Sequence, residues 1–115
     1  MKDFKIVWSA RSECGPNRKK NEDTIFPPIS GSSKPLFKAA VCDGLGGHVN
    51  GDIASKIAAD TLLKEITDLN QIITEANKNI LEYQEKDPSS LGMGTTMTAI
   101  SVSYTHLTLP TKVTV

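Results

Sequence analysis

Aromatic side chains are scarce in this chain: three Phe, two Tyr and one Trp make up 5% of 115 residues. With a hydrophobic fraction of 38%, that is little material for a large buried core, and the length allows at most one small domain. Neither sign of charge is in excess, since thirteen Lys and Arg balance thirteen Asp and Glu. That balance excludes a general electrostatic attraction to nucleic acid or anionic membrane. Apolar runs are short, and none approaches the ~20 residues of a membrane span. The opening Met1-Lys2-Asp3-Phe4-Lys5 has no signal-peptide h-region. Cysteine is limited to Cys14 and Cys42, without C-x-x-C spacing. Neither a disulfide framework nor a zinc site is suggested, and two free thiols fit a reducing, cytoplasmic setting.

What is present organises itself around Val41-Cys42-Asp43-Gly44-Leu45-Gly46-Gly47-His48, with Gly51 just beyond. An apolar run, Leu36 to Cys42 with Lys38 inside it, ends in an aspartate and then in glycines. The carboxylate offers hard oxygen, and glycines let backbone oxygens or amides come close to a ligand. Before it, Phe4 to Ala10 and Glu22 to Phe26 read as strands, the second ended by Pro27-Pro28 and a Gly31-Ser32-Ser33 loop. That strand and Leu36–Cys42 form a hairpin. After it, Ile53, Ala54, Ile57, Ala58, Thr61, Leu62 and Ile66 fall on one helical stripe, with Asp52 at the N-cap. Leu69-Asn70 interrupts, a second stripe follows through Ile72, Ile73, Ala76, Ile80 and Leu81, and Asp87-Pro88-Ser89-Ser90 closes it. Gly92-Met93-Gly94 then turns into a β-branched strand, Thr95 to Val102. The expected order is β-β-β-α-α-β, an α+β arrangement with helices laid on a sheet.

The upstream stretch Gly15-Pro16-Asn17-Arg18-Lys19-Lys20-Asn21-Glu22-Asp23 places a fixed cation shortly before a paired acid. A guanidinium forks onto phosphate oxygens while carboxylates hold a hard cation, so the pattern suits a site for both. Adjacent acids on a strand point to opposite faces, so only one of Glu22 and Asp23 can look into a given site. The bland readings are a surface ion pair for Arg18, worth roughly 0–1 kcal/mol, and an Asx turn for Asp43.

Taken with Gly92-Met93-Gly94-Thr95-Thr96, these segments resemble the PPM or type-2C metal-dependent serine/threonine protein phosphatases, in the bacterial branch. That branch carries G-x-x-R-x-x-N-E-D, then V-x-D-G-x-G-G-H-x-x-G, then G-T-T, in this order. The resemblance spans roughly Ile6 to Ser101. It implies the incomplete N-terminal part of an α-β-β-α sandwich, a β-sheet covered by antiparallel helices. It also implies two Mn²⁺ or Mg²⁺ ions, with Asp43 bridging them and the Gly44 carbonyl, Glu22 and Asp23 completing what this stretch supplies. Arg18 matches the clamp on the substrate phosphate, a contact worth roughly 1.5–3 kcal/mol. A water activated between two cations would then attack phosphorus in line. The substrate would be a phosphorylated protein, the product of a serine/threonine kinase. No other cofactor is implied, and neither nucleic acid nor membrane is a partner. His48 fits a structural role at the helix entry, and Thr95 and Thr96 fit strand and turn roles.

Family members are longer and complete their metal sites with later Asp-Gly and Asp-Asn segments, which have no counterpart after Asp87. Hard cations want about six oxygens, so this chain by itself is expected to lack activity. Residues 102–115 contain Val102-Ser103-Tyr104-Thr105-His106-Leu107-Thr108-Leu109-Pro110-Thr111, which resembles one reading frame of a transposon-end sequencing adapter. The expected division is therefore 1–101, phosphatase part, and 102–115, a non-native tail; the competing reading is a genuine strand broken by Pro110. Two other functions stay open: a phosphoprotein-binding pseudophosphatase module, and a phosphate- or nucleotide-binding domain. The glycine turn lacks both the P-loop Lys-Ser/Thr and G-x-G-x-x-G.

Overall fold

The computed structural model describes residues 6–16, 19–28, 31–33, 37–45, 49–66, 68–102 and 107–114, the last segment and 31–33 by backbone course. Its strands are β1 (Ile6–Trp8), β2 (Asp23–Phe26), β3 (Gly31–Ser33), β4 (Phe37–Asp43), β5 (Thr96–Val102) and β6 (Leu107–Thr114). Helices α1 (Gly51–Asp60) and α2 (Leu69–Lys86) lie between β4 and β5. The main sheet is antiparallel in the order β2-β4-β5-β6, and β1 pairs separately with β3.

Alternation along the two central strands decides which face is covered. Ala40 and Cys42 of β4 and Met97, Ala99 and Ser101 of β5 are buried, while Val41 is 53% exposed. Ala54, Ala58 and Ala59 of α1 and Ile72, Ala76 and Ile80 of α2 are buried as well, and Leu62 and Leu69 join them in the core. Small residues on both sheet and α1 let the two backbones approach closely, which is how a chain poor in aromatics still fills its core. The opposite sheet face carries an apolar groove of about 420 Å³ lined by Trp8, Ile25, Phe37, Ala39, Val41 and Ile100 among others. The Trp8 and Phe37 rings lie 4.8 Å apart there, tilted by 39°.

The expected α+β order and the hairpin stand: β2 and β4 pair from Asp23↔Asp43 to Phe26↔Ala40. Four details differ. Gly31–Ser33, expected as a loop, is a strand, held by backbone pairing Ile6↔Ser33 to Trp8↔Gly31. Asp52 is not the N-cap of α1. That position is Asn50, in the left-handed region at φ 54°, ψ 36°, and Asp52 sits in the first turn, where a carboxylate complements the helix dipole. The stripe running on to Ile66 breaks after Asp60 into a 3₁₀ turn, Thr61–Leu63. There Thr61 Oγ1 donates back to Ile57 O at 3.1 Å, a bond that loosens helix continuity. Leu69-Asn70 opens α2 rather than interrupting, because the Asp68 side chain accepts from Asn70 N at 2.8 Å and Gln71 N at 3.3 Å.

Beyond Ser101, β6 runs antiparallel to β5, with the register shifting between Ala99↔Thr111 and Ser101↔Thr108. Leu109 and Pro110 fall in that bulge, where a residue without N–H breaks no ladder bond. Among the described residues, no helix is long and apolar enough to cross a membrane.

Candidate metal centre

The motifs read from the sequence meet where β2 begins, β4 ends and α1 starts. Antiparallel pairing sets Asp23 directly opposite Asp43. Both therefore stand on the same sheet face, the one away from the helices, since Asp43 alternates with the buried Cys42. Gly44 follows at once and ties the three segments together. Its N–H donates to Glu22 O at 3.0 Å, it bridges Thr95 across the sheet, and Leu45 N donates to Gly94 O at 3.0 Å. A Cβ built on Gly44 would lie 2.5 Å from the Gly51 carbonyl carbon, closer still to its oxygen, and 2.7 Å from Glu22 O. All three are backbone atoms, so only glycine fits.

Supporting bonds fix the acids' backbone. Asn21 Oδ1 accepts from Asp23 N at 3.0 Å, and its Nδ2 donates to Ser12 Oγ at 2.8 Å. Thr96 Oγ1 accepts from Asp43 N at 3.3 Å and donates to Asp43 O at 3.4 Å. Thr96 thus holds the Asp43 backbone from the neighbouring strand, in keeping with the structural role expected of Thr95 and Thr96. On the helix side, Thr24 Oγ1 and Ser55 Oγ share a hydrogen bond of 2.9 Å, which ties β2 to α1.

A polar cavity of about 350 Å³ opens here, lined by Glu13, Gly15, Lys20, Asn21, Glu22, Asp23, Asp43 and Gly44. Of the residues expected at the site, Glu22, Asp23, Asp43 and Gly44 are brought together around it. Arg18 and His48 lie outside the described residues. Glu13 and Lys20 were not foreseen. Lys20 pairs with Asp52 at 3.2 Å, bringing a cation to the cavity rim from the first turn of α1. Its place inside the G-x-x-R-x-x-N-E-D segment was the available signal. Glu13 pairs instead with Arg11.

The side chains around the cavity fit a hard divalent cation in kind. Every acidic donor lining it is a carboxylate, and oxygen donors suit Mg²⁺ or Mn²⁺ rather than softer ions. Cys42, next to Asp43, adds no thiolate, because burial pushes its thiol up to about 12. The donors are spread around the cavity: among the described residues, no three Asp, Glu, His or Cys side chains close on one point.

No family model matches the chain. The serine/threonine protein phosphatase PstP of Mycobacterium tuberculosis is 32% identical over a match covering 90% of this chain and 21% of PstP. The serine/threonine phosphatase stp of Listeria monocytogenes is also 32% identical, over 86% of this chain and 44% of its own. The chain thus spans less than half the length of either relative. Among solved structures, that of M. tuberculosis PstP superposes with a TM-score of 0.61 at 26% identity, covering 92% of this chain and 44% of that one. The PstP catalytic domain in complex with two manganese ions gives a TM-score of 0.59 at 26% identity, over 89% and 43%.

Proposed function

We propose, from the premise that this chain belongs with the PPM-type serine/threonine phosphatases and matches the N-terminal part of their catalytic domain, that it supplies one side of a phosphoprotein phosphatase site. The observation that carries this is the pairing of Asp23 with Asp43 beside Gly44, at the mouth of a cavity lined by carboxylates. Asp43 and Asp23 would hold Mn²⁺ or Mg²⁺ from the sheet, Glu22 from just before β2 and the Gly44 carbonyl from the β4–α1 turn, and Arg18 would bind the phosphate. When bound, two such cations supply Lewis acidity and an activated water for phosphoryl transfer. The chain's own residues set the geometry: Thr96 fixes Asp43, Asn21 fixes Asp23, and Gly44 lets three backbones converge.

The substrate is a phosphoserine or phosphothreonine protein made by a kinase, and the setting is the cytoplasm. By itself the 115-residue chain contributes too few oxygens for the roughly six that such cations want, so it binds metal weakly and turns over little. The division into 1–101, phosphatase, and 102–115, non-native tail, belongs to the same proposal. Source DNA that encodes Val102 to Val115 in one continuous frame would remove that division.

The test is a Mn²⁺ titration of the parent chain and of Asp43→Asn, read by thermal melting and by hydrolysis of a phosphothreonine peptide. The expected result is an Mn²⁺-induced rise in melting temperature that Asp43→Asn abolishes, with hydrolysis close to background. A parent chain indifferent to Mn²⁺ overturns the metal reading. Robust turnover abolished by Asp43→Asn overturns the incompleteness argument alone.

A further inference from the structure

Gly51 is buried and is the first residue of α1. The space its missing side chain leaves is taken by Glu22: a Cβ built there would overlap Glu22 Oε2, with Glu22 Cδ at 3.3 Å and Leu45 O at 3.2 Å. The overlapping atom is thus the far end of a side chain, unlike at Gly44, where every obstacle is backbone. Asp23, the neighbouring acid, stands opposite Asp43. The two acids therefore reach one cavity from different directions, and Glu22 reaches it past the start of α1.

We infer that Gly51 is a positioning residue for Glu22: the absence of a side chain at 51 sets where this carboxylate lies relative to Asp43 and Gly44. The inference rests on Glu22 being a metal-holding residue, as proposed above, and adds what places it there. Groups that orient a ligand without touching the metal change metal affinity by roughly 10- to 100-fold when altered. A Cβ at 51 pushes the carboxylate out of its seat, because the overlapped atom is the far end of a flexible side chain and yields before the helix backbone does. Two ties keep α1 in place around it: Asn50 Nδ2 donates to Ser90 Oγ at 2.8 Å, and Ser55 Oγ meets Thr24 Oγ1 at 2.9 Å.

The experiment is a double-mutant cycle with Gly51→Ala and Glu22→Ala in the full chain, read by Mn²⁺ affinity from electron paramagnetic resonance and by metal-free thermal melting. Gly51→Ala is expected to weaken Mn²⁺ binding by about tenfold or more. In the Glu22→Ala background it is expected to leave affinity unchanged, because the atom it displaces is gone, and to move melting only by the small amount that a Gly→Ala change and the remaining 3.2 Å approach to Leu45 O bring. Should Gly51→Ala alone fail to fold, the double variant is expected to fold and melt close to Glu22→Ala. Additive losses, an unfolded double variant, or parental Mn²⁺ affinity in Gly51→Ala would each overturn the inference. If the parent binds Mn²⁺ and Asp43→Asn does not, such a result refutes the role of Gly51 and leaves the metal reading standing. A parent that binds no Mn²⁺ refutes both.

Discussion

Replacing Gly44 by alanine tests whether the β2, β4 and α1 backbones converge as closely as described. The added Cβ would lie 2.5 Å from the Gly51 carbonyl carbon and 2.7 Å from Glu22 O. Real Cβ atoms essentially never come within 3.0 Å of such neighbours, so one segment must shift. Overpacking of this kind costs about 1–3 kcal/mol. A shift of Glu22 also strains the 3.0 Å bond from Gly44 N to Glu22 O, worth about 1 kcal/mol. Against this, alanine restricts the unfolded chain and returns about 0.4–1 kcal/mol. The net loss is about 1–3.6 kcal/mol. At about 4 °C per kcal/mol, the lower end for small domains, melting should fall by roughly 4–14 °C. Gly92→Ala is the control: that residue has φ +92° but open space within 4 Å, so only its backbone conformation, about 1–2 kcal/mol, is at stake. Far-UV circular dichroism melts of both variants decide the matter. A Gly44→Ala variant melting with the parent would refute the steric argument.

Other consequences follow from single groups. Asp68→Ala removes the acceptor for Asn70 N and Gln71 N, and chemical denaturation should show a loss of about 1 kcal/mol. Cys14 is exposed and Cys42 buried, so a thiol-disulfide reagent should modify one thiol at once and the second only as the chain unfolds; two fast thiols would contradict the packing of Cys42. Desolvation by burial lowers the Lys38 ammonium below its ordinary 10.5, opposed by Glu65. The unfolded chain therefore binds more protons in the window beneath 10.5, and stability should rise with pH there. Melting curves taken over the pH range just beneath 10.5 should lack this contribution in Lys38→Met, a variant destabilised by the lost bonds to Lys64 O at 2.5 Å and Ile66 O at 2.9 Å.

Much of the fold is legible in the sequence because its signals are local. The apolar run Leu36–Cys42 and the β-branched stretch Thr95–Val102 mark strands, and the spacing of Ala54, Ala58, Ile72, Ala76 and Ile80 marks the faces that cover them. The Asp43-Gly44 turn is legible for the same reason. What escapes are decisions made across distance. Gly31–Ser33 has no apolar pattern and becomes a strand through backbone pairing with β1. The start of α1 is set by Asn50, whose side chain bonds Ser90 forty residues away, and local capping preference points to Asp52 instead. Lys38 looks out of place in an apolar run until the carbonyls at Lys64 and Ile66 come to meet its ammonium.

The direction of Glu22 was the least legible feature of the site, and the reason is general. A strand's period of two says that neighbouring acids face apart, but it cannot say what waits on the far side. Here the far side is α1, and its first residue has no side chain. Opposite it, Asp23 and Asp43 face each other on adjacent strands, a placement of like charges that taken by itself disfavours the sheet. Neither acid serves the core, since both are exposed. On the proposed reading, a cation held between the two carboxylates would offset that cost. Metal binding and folding would then be linked, because the ion's favourable interaction would be realised only when β2 and β4 are in register. The same register that weakens the metal-free sheet at this end is what would assemble the site.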